Sequence, residues 1–144
     1  MNNSKFKPSR TLPVITKKDQ LANYVEKEWG HEEWIVNNTK YCGKILIFKA
    51  SYQLSMHHHK IKEETFYVLS GKVFLETEFK EFKETRLMEP GDIAHIKPEM
   101  WHRVTALVDS EIIEFSTHHI DEDSYRRTKS CKVNLKELKL DLYL

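Results

Sequence analysis

From Glu33 to Ser116 the sequence is a succession of short runs rich in β-branched and aromatic residues, cut at close intervals by turn formers. "EWIVNNTKYCGKILIFKASYQLSMHHH" is punctuated by "NNTK", and "TFYVLSGKVFLETEF" reads as two strands around Ser70-Gly71. "RLMEPGDIAHIKP" sets Pro90-Gly91-Asp92 between strands, and "EIIEFSTHH" is a further apolar strand. Many short strands with turns between them predict an antiparallel sandwich or barrel. The chain shows no internal repeat and no low-complexity linker, and 144 residues suit one domain with a sizeable core.

The two ends read differently. In "KKDQLANYVEKEWG", Leu21, Ala22, Tyr24 and Val25 fall at helical spacing and Gly30 follows as a stop signal, which predicts a short helix. The boundaries expected are an arm and helix over 1–30, a barrel over 31–128 and a tail over 129–144. In the tail, Leu138, Leu140, Leu142 and Leu144 alternate as in a strand, while Leu135 and Leu138 also fit a helical stripe. A terminal strand without a partner in its own chain predicts exchange across a homodimer.

Charge narrows the classes of function. The net charge is +1 with both signs interspersed, which argues against a nucleic-acid partner. No apolar run is long enough to span a membrane, and the first residues lack the apolar stretch of a secretory signal. Cys42 and Cys131 stand far apart and outside metal-binding spacings, so free thiols in a reducing, cytoplasmic setting are expected.

The chemistry concentrates in "SMHHHKIKEETFYVLSG", residues 55–71. On a strand, residues two apart share a face, so His57 and His59 project together and His58 points away. Glu64 follows after a turn's length, and His102 lies beyond the Pro-Gly-Asp turn in "KPEMWHRV". Three imidazoles and one carboxylate suit one divalent ion, zinc, manganese, iron, cobalt or nickel. A histidine run on an exposed loop is the plainer explanation for His57 and His59 alone. The ordered set with Glu64, Gly71, the Pro-Gly-Asp turn and His102 shifts the balance to a metal.

That ordered set, His57-x-His59-x4-Glu64-x6-Gly71 followed by Pro90-Gly91-Asp92 and His102, resembles the two motifs of the cupin superfamily. The resemblance implies an all-β fold, the cupin double-stranded β-helix or jelly-roll barrel, with a metal held inside by these positions. The second motif departs at Pro98-Glu99-Met100, where Pro-x-Gly is usual. From about Glu28 to Arg127 the resemblance extends to the isomerase cupin domain of type II mannose-6-phosphate isomerases. It is carried by Trp29-Gly30, Lys44, Leu54-Ser55, His102-Arg103, and Glu122-Asp123 with Arg126 or Arg127. Members of that group often carry glutamine where this chain has His57. The resemblance covers their isomerase domain alone, so a stand-alone isomerase domain without the fused guanylyltransferase is expected.

The resemblance implies aldose–ketose isomerisation of a sugar or sugar phosphate of the mannose 6-phosphate and fructose 6-phosphate type. Such a reaction moves a proton between adjacent carbons, or a hydride in some metal isomerases, and needs an electrophile at the substrate oxygens and a general base. His57, His59, Glu64 and His102 are the expected metal ligands. Lys44 and Glu114, charged residues in otherwise apolar strands, are candidate catalytic groups, as is Arg103, which the family match alone supports. Arg126 and Arg127 are candidate phosphate binders and Tyr67 a candidate substrate contact. For each, an outward-facing surface charge or a core aromatic is the plainer alternative. Two other functions stay open: an Fe(II) dioxygenase, and a non-catalytic sugar-binding cupin of polysaccharide or nucleotide-sugar biosynthesis.

Overall fold

The computed structural model describes residues 15–18 and 23–138. Thirteen antiparallel strands are found there: β1 (Tyr24–Lys27), β2 (Gly30–Asn37), β3 (Cys42–Phe48), β4 (Tyr52–Gln53), β5 (His57–His58), β6 (Glu64–Ser70), β7 (Val73–Phe79), β8 (Phe82–Met88), β9 (Ile93–Ile96), β10 (Trp101–Ala106), β11 (Ser110–Ser116), β12 (Tyr125–Arg126) and β13 (Cys131–Lys132). One sheet has the order β1-β2-β3-β11-β6-β9. In the other, β10 pairs with β7, and β7 with β8; short strands β4 and β5 also pair with β10 and carry β13 and β12. The architecture is an antiparallel jelly roll of two sheets, all-β as its strand-rich sequence requires. No helix among the described residues is long and apolar enough to cross a membrane.

Alternation along the central strands builds the interior. Cys42, Lys44, Leu46 and Phe48 of β3 are buried, as are Glu64, Phe66 and Val68 of β6, and Ser110, Ile112 and Glu114 of β11. The register sorts them into layers. Leu46, Ile112 and Val68 share one rung, and with Phe48, Val104 and Ala106 they form an apolar plug. Lys44, Glu114 and Phe66 form the next rung, and Glu64 the one after, so one end of the barrel is charged. Burying each large apolar side chain of the plug contributes roughly 1.5–3 kcal/mol, which lets the other end carry polar groups at a net cost.

The helix expected before Gly30 does not form where it is described. Tyr24–Lys27 is an edge strand paired with Gly30–Glu33, and Glu28-Trp29 is the two-residue turn between them. Tertiary packing overrides the local spacing: Trp29 is buried with its ring stacked on Phe48 at 4.5 Å. Leu21 and Ala22 lie outside the described residues. Gly30 is a close approach rather than a helix stop, because its φ is 147° and a Cβ there would overlap the carbonyl oxygen of Ile47. In the tail, Cys131 and Lys132 pair with β4 of the same chain, and Leu135–Glu137 forms a single 3-10 turn. The alternating leucines after Leu138 lie outside the described residues. Both cysteines are free thiols.

Candidate metal centre and cavity

His57 and His102 are directly paired across β5 and β10, and His59 follows just beyond β5. One ring nitrogen from each of the three lies within 4.8 Å of the other two. Each ring is held by a main-chain carbonyl: Nδ1 of His57 donates to Ser55 O (2.9 Å), Nδ1 of His59 to Asp123 O (2.8 Å), and Nδ1 of His102 to Met100 O (2.9 Å). A carbonyl only accepts, so each Nδ1 carries the proton and each Nε2 keeps its lone pair. Burial, and then the nearby His102, push His57 well below the ordinary imidazole range, which keeps it a neutral donor.

Glu64 completes this end of the barrel. Its Oε1 lies 2.9 Å from His59 Nε2 and its Oε2 3.6 Å from His102 Nε2. Burial would raise this carboxyl, but its polar surroundings, the Lys62 ammonium at 3.0 Å among them, hold it well below its usual range. His102 Nε2 is fully buried and meets no aligned hydrogen-bond partner, whereas buried Glu64 Oε1 has the Lys62 ammonium within 3.0 Å. Three imidazole nitrogens within 4.8 Å of one another, one of them buried without a partner, beside a buried carboxylate, are what a divalent cation requires. The donor set fits a metal ion. The turn before His102 places Glu99 at φ 68°, and its N–H donates to His59 O (2.6 Å), so the unusual Pro98-Glu99-Met100 segment still delivers the histidine.

Beside the histidines opens a cavity of about 560 Å³. Lys44, Lys62, Glu114, His119 and Trp34 line it together with His57, His59 and Glu64, and exposed Arg126 stands at its margin. Lys62 Nζ reaches Glu64 Oε1 (3.0 Å) and Glu114 Oε2 (3.4 Å). Burial works against the ammonium, but Glu114 and Glu64 outweigh it and raise Lys62 above its ordinary value. Glu114 moves the other way for a carboxyl: burial and then the Glu64 charge raise it. Lys44 Nζ sits 3.8 Å above the Trp34 ring and 3.8 Å from Glu32 Oε2.

His119 ties the two lysines together. Its Nδ1 lies 3.3 Å from Lys44 Nζ and 3.1 Å from Lys62 Nζ, and its Nε2 contacts Asp121 Oδ1 at 2.9 Å. Two ammonium groups at Nδ1 make that atom an acceptor, so Nε2 carries the hydrogen donated to Asp121. Burial and then the Lys44 and Lys62 charges push His119 down to about 4. Asn37 clamps its backbone, accepting from His119 N (2.9 Å) and donating to His119 O (3.1 Å).

His57, His59, Glu64, Lys44, Glu114 and Arg126 thus line one cavity, and His102, fully buried, stands directly behind His57. Three candidates lie elsewhere. Arg103, one residue past His102, faces outward by strand parity and forks onto Glu76 (2.8 and 3.0 Å). Arg127 pairs with Glu78 (2.8 Å) and covers Trp101 on that same outer side. Tyr67 follows Phe66 on β6 and takes the parity opposite to Glu64. His58 stacks outward on Trp101 at 4.2 Å. Lys62 and His119 were not singled out from sequence. Lys62 carried one usable signal, since it precedes Glu64 by two; His119, in a loop, carried none.

A jelly roll with a histidine cluster opening on a charged cavity defines a cupin-type protein. The Cupin domain family matches residues 45–116, half of the sequence, and the chain belongs to that family. Comparison with curated proteins finds no match. Among solved structures, the oxalate decarboxylase of Bacillus subtilis at pH 4.6 superposes with TM-score 0.67 and 13% identity, over 73% of this chain and 30% of that one. CapF, a capsular polysaccharide assembling protein of Staphylococcus aureus, gives 0.64 and 17% over 72% and 33%. KdgF of Halomonas sp. gives 0.62 and 20% over 69% and 89%. At these identities the likeness is one of fold, and this chain spans under a third of the oxalate decarboxylase chain. None of these three is a mannose-6-phosphate isomerase, so that narrower resemblance rests on sequence motifs.

Proposed function

We propose that the protein is a metal-dependent aldose–ketose isomerase acting on a sugar or sugar phosphate of the mannose 6-phosphate and fructose 6-phosphate type. The observation that carries this reading is a cluster of three backbone-oriented imidazoles, two of which, His57 and His59, line one polar cavity together with a buried acid, Glu114. Its volume of about 560 Å³ suits a small-molecule ligand.

His57, His59 and His102, with Glu64, would hold one divalent ion, which when bound polarises the carbonyl and neighbouring hydroxyl oxygens of a sugar. Glu114 takes the proton from one substrate carbon and returns it to the next, while the hydroxyl proton passes between the two adjacent oxygens. The raised Glu114 carboxyl makes it a better base when ionised. Lys62, fixed between Glu64 and Glu114, keeps the Glu114 oxygen aimed into the cavity. Lys44, held over Trp34, presents an ammonium to a substrate hydroxyl or developing oxyanion. Arg126 at the margin offers a fork to a phosphate. Arg103, Arg127 and Tyr67 take no part in this scheme because their side chains lie on outer faces.

The test is to incubate the protein, loaded in turn with each of the five metals, with aldoses and their 6-phosphates and to follow ketose formation by NMR. Conversion that stops on chelation is expected. Full conversion after exhaustive metal removal sinks the proposal, as does oxygen consumption driven by Fe(II), or thermal stabilisation by sugars with no turnover in any metal form. The homodimer stays a proposal, tested by the mass of the protein in solution.

A further inference from the structure

The segment between ligands His59 and Glu64 does not hold its own shape. Three consecutive amides, those of Lys60, Ile61 and Lys62, turn toward one carboxylate, that of Asp123. Lys60 N donates to Oδ1 (2.9 Å), Ile61 N is shared by Oδ1 and Oδ2 (3.2 Å each), and Lys62 N donates to Oδ2 (2.9 Å). Such a run of amides is an anion-binding concavity, and here a buried side chain from distant sequence fills it. The same residue's carbonyl oxygen takes the Nδ1 hydrogen of His59 at 2.8 Å.

We propose that Asp123 is the positioning residue of the centre, fixing the His59 tautomer through its main chain and the His59–Glu64 spacing and Lys62 through its side chain. The inference rests on the reading that the histidine cluster holds a divalent ion, but needs no sugar chemistry. Asp123 ends a 3-10 turn, Asp121–Asp123, that lies after β11 and makes no ladder of its own. Its carboxylate anchors the turn to residues 60–62, beside the β12–β5 pairing that begins two residues later. Releasing the anchor frees the carbonyl under His59, so one substitution disturbs a ligand and a cavity lysine together. Neighbouring Glu122 is exposed and makes neither contact, which supplies a control one residue away.

The experiment compares the wild type with Asp123→Asn, Asp123→Ser and Glu122→Gln, using Co(II) as the probe metal. Three readouts are taken: the Co(II) dissociation constant by absorbance, the imidazole tautomers of the metal-free protein by 15N NMR, and the melting temperature of the metal-free protein. We expect both Asp123 variants to bind Co(II) about 10–100-fold more weakly, the loss typical of removing a partner that orients a ligand. His59 should lose its single Nδ1–H tautomer while His57 and His102 keep theirs, and Glu122→Gln should match the wild type. The proposal is overturned if Co(II) affinity and the His59 tautomer stay unchanged in the Asp123 variants. It is equally overturned if both variants are unfolded without metal, for Asp123 would then be a determinant of the fold rather than of the centre. An absence of isomerase turnover in the wild type would leave all three readouts standing. An absence of Co(II) binding in the wild type removes the metal reading itself.

Discussion

His57 and His102 stand opposite each other across the β5–β10 ladder, with ring centroids 4.3 Å apart. Two imidazoles that close cannot both carry charge without cost, and like charges placed directly opposite destabilise a sheet. The fold accepts the pairing because each ring gives its Nδ1 hydrogen to a carbonyl and turns a lone pair inward.

A cation bound by these lone pairs would add stability at this point. A metal present at one hundred times its dissociation constant raises folding stability by about 2.7 kcal/mol. We expect Zn(II) or Co(II) to raise the melting temperature with a stoichiometry of one per chain. His102→Ala should remove both the bound metal and the rise, measured by metal analysis and calorimetry. An undiminished rise in His102→Ala would show that the ion sits elsewhere.

Glu114 faces Lys44 across one rung of β11 and β3, and Lys62 lies 3.4 Å from its carboxylate. If it transfers the proton, Glu114→Gln keeps the shape but removes the base. Turnover should fall by about 10²–10⁴-fold, the usual loss when a general base is removed, while metal content stays at one. A variant within tenfold of wild-type turnover would assign the proton to another group.

How much of this was open to sequence reading follows from how local each cause is. The strands over Cys42–Phe48, Glu64–Ser70 and Ser110–Ser116 announce themselves by their β-branched runs, and parity alone puts Lys44, Glu64 and Glu114 on faces shared with the core. Parity likewise sends His58 and Arg103 outward. Ser70-Gly71 is a break between strands, but β6 and β7 belong to different sheets, and nothing local distinguishes a corner from a hairpin. The strand at Tyr24–Lys27 is hidden because its cause is remote: Trp29 packing on Phe48 and Gly30 meeting Ile47. Lys62 in "KIKEE" shares the parity of Glu64 but precedes the strand, so that signal is weak, and Asp123, far along the chain, fixes its backbone inward. His119 becomes a cavity group through Asn37, equally distant in sequence.

His119 gives the protein a definite response to acid. Its folded-state value of about 4 lies below the 6.5 of a free histidine, so the unfolded chain takes up its proton first. This contribution is complete above pH 6.5, falls as the pH drops toward about 4, and is constant below. The shift corresponds to roughly 3 kcal/mol at most for this largely buried ring. Urea unfolding of metal-free protein at pH 4.5 and pH 7, compared with His119→Asn, isolates it. The variant should lose less stability between the two pH values than the wild type does, and an equal loss would show that His119 is not held neutral.

Two glycines with similar backbones separate conformational strain from steric overlap. Gly71 and Gly91 have φ of 87° and 93°, both in the left-handed region that side chains avoid. At Gly91, in the Pro-Gly-Asp turn, a Cβ would meet nothing within 4 Å. At Gly71, where the chain turns from one sheet to the other, it would run into Ser110 Oγ and stand 2.5 Å from Asp109 O. Those atoms cannot easily retreat. Ser110 Oγ accepts from Lys72 N (3.0 Å) and donates to Val108 O (2.7 Å), so the serine is already committed to the corner. Gly91→Ala should cost about 1 kcal/mol, the strain alone, whereas Gly71→Ala adds overlap in a packed corner and should cost about 3 kcal/mol or more. Chemical denaturation of the two variants under one buffer gives the comparison. Equal costs would mean that the corner relaxes around a methyl group, and that the glycine before β7 serves its φ and nothing else.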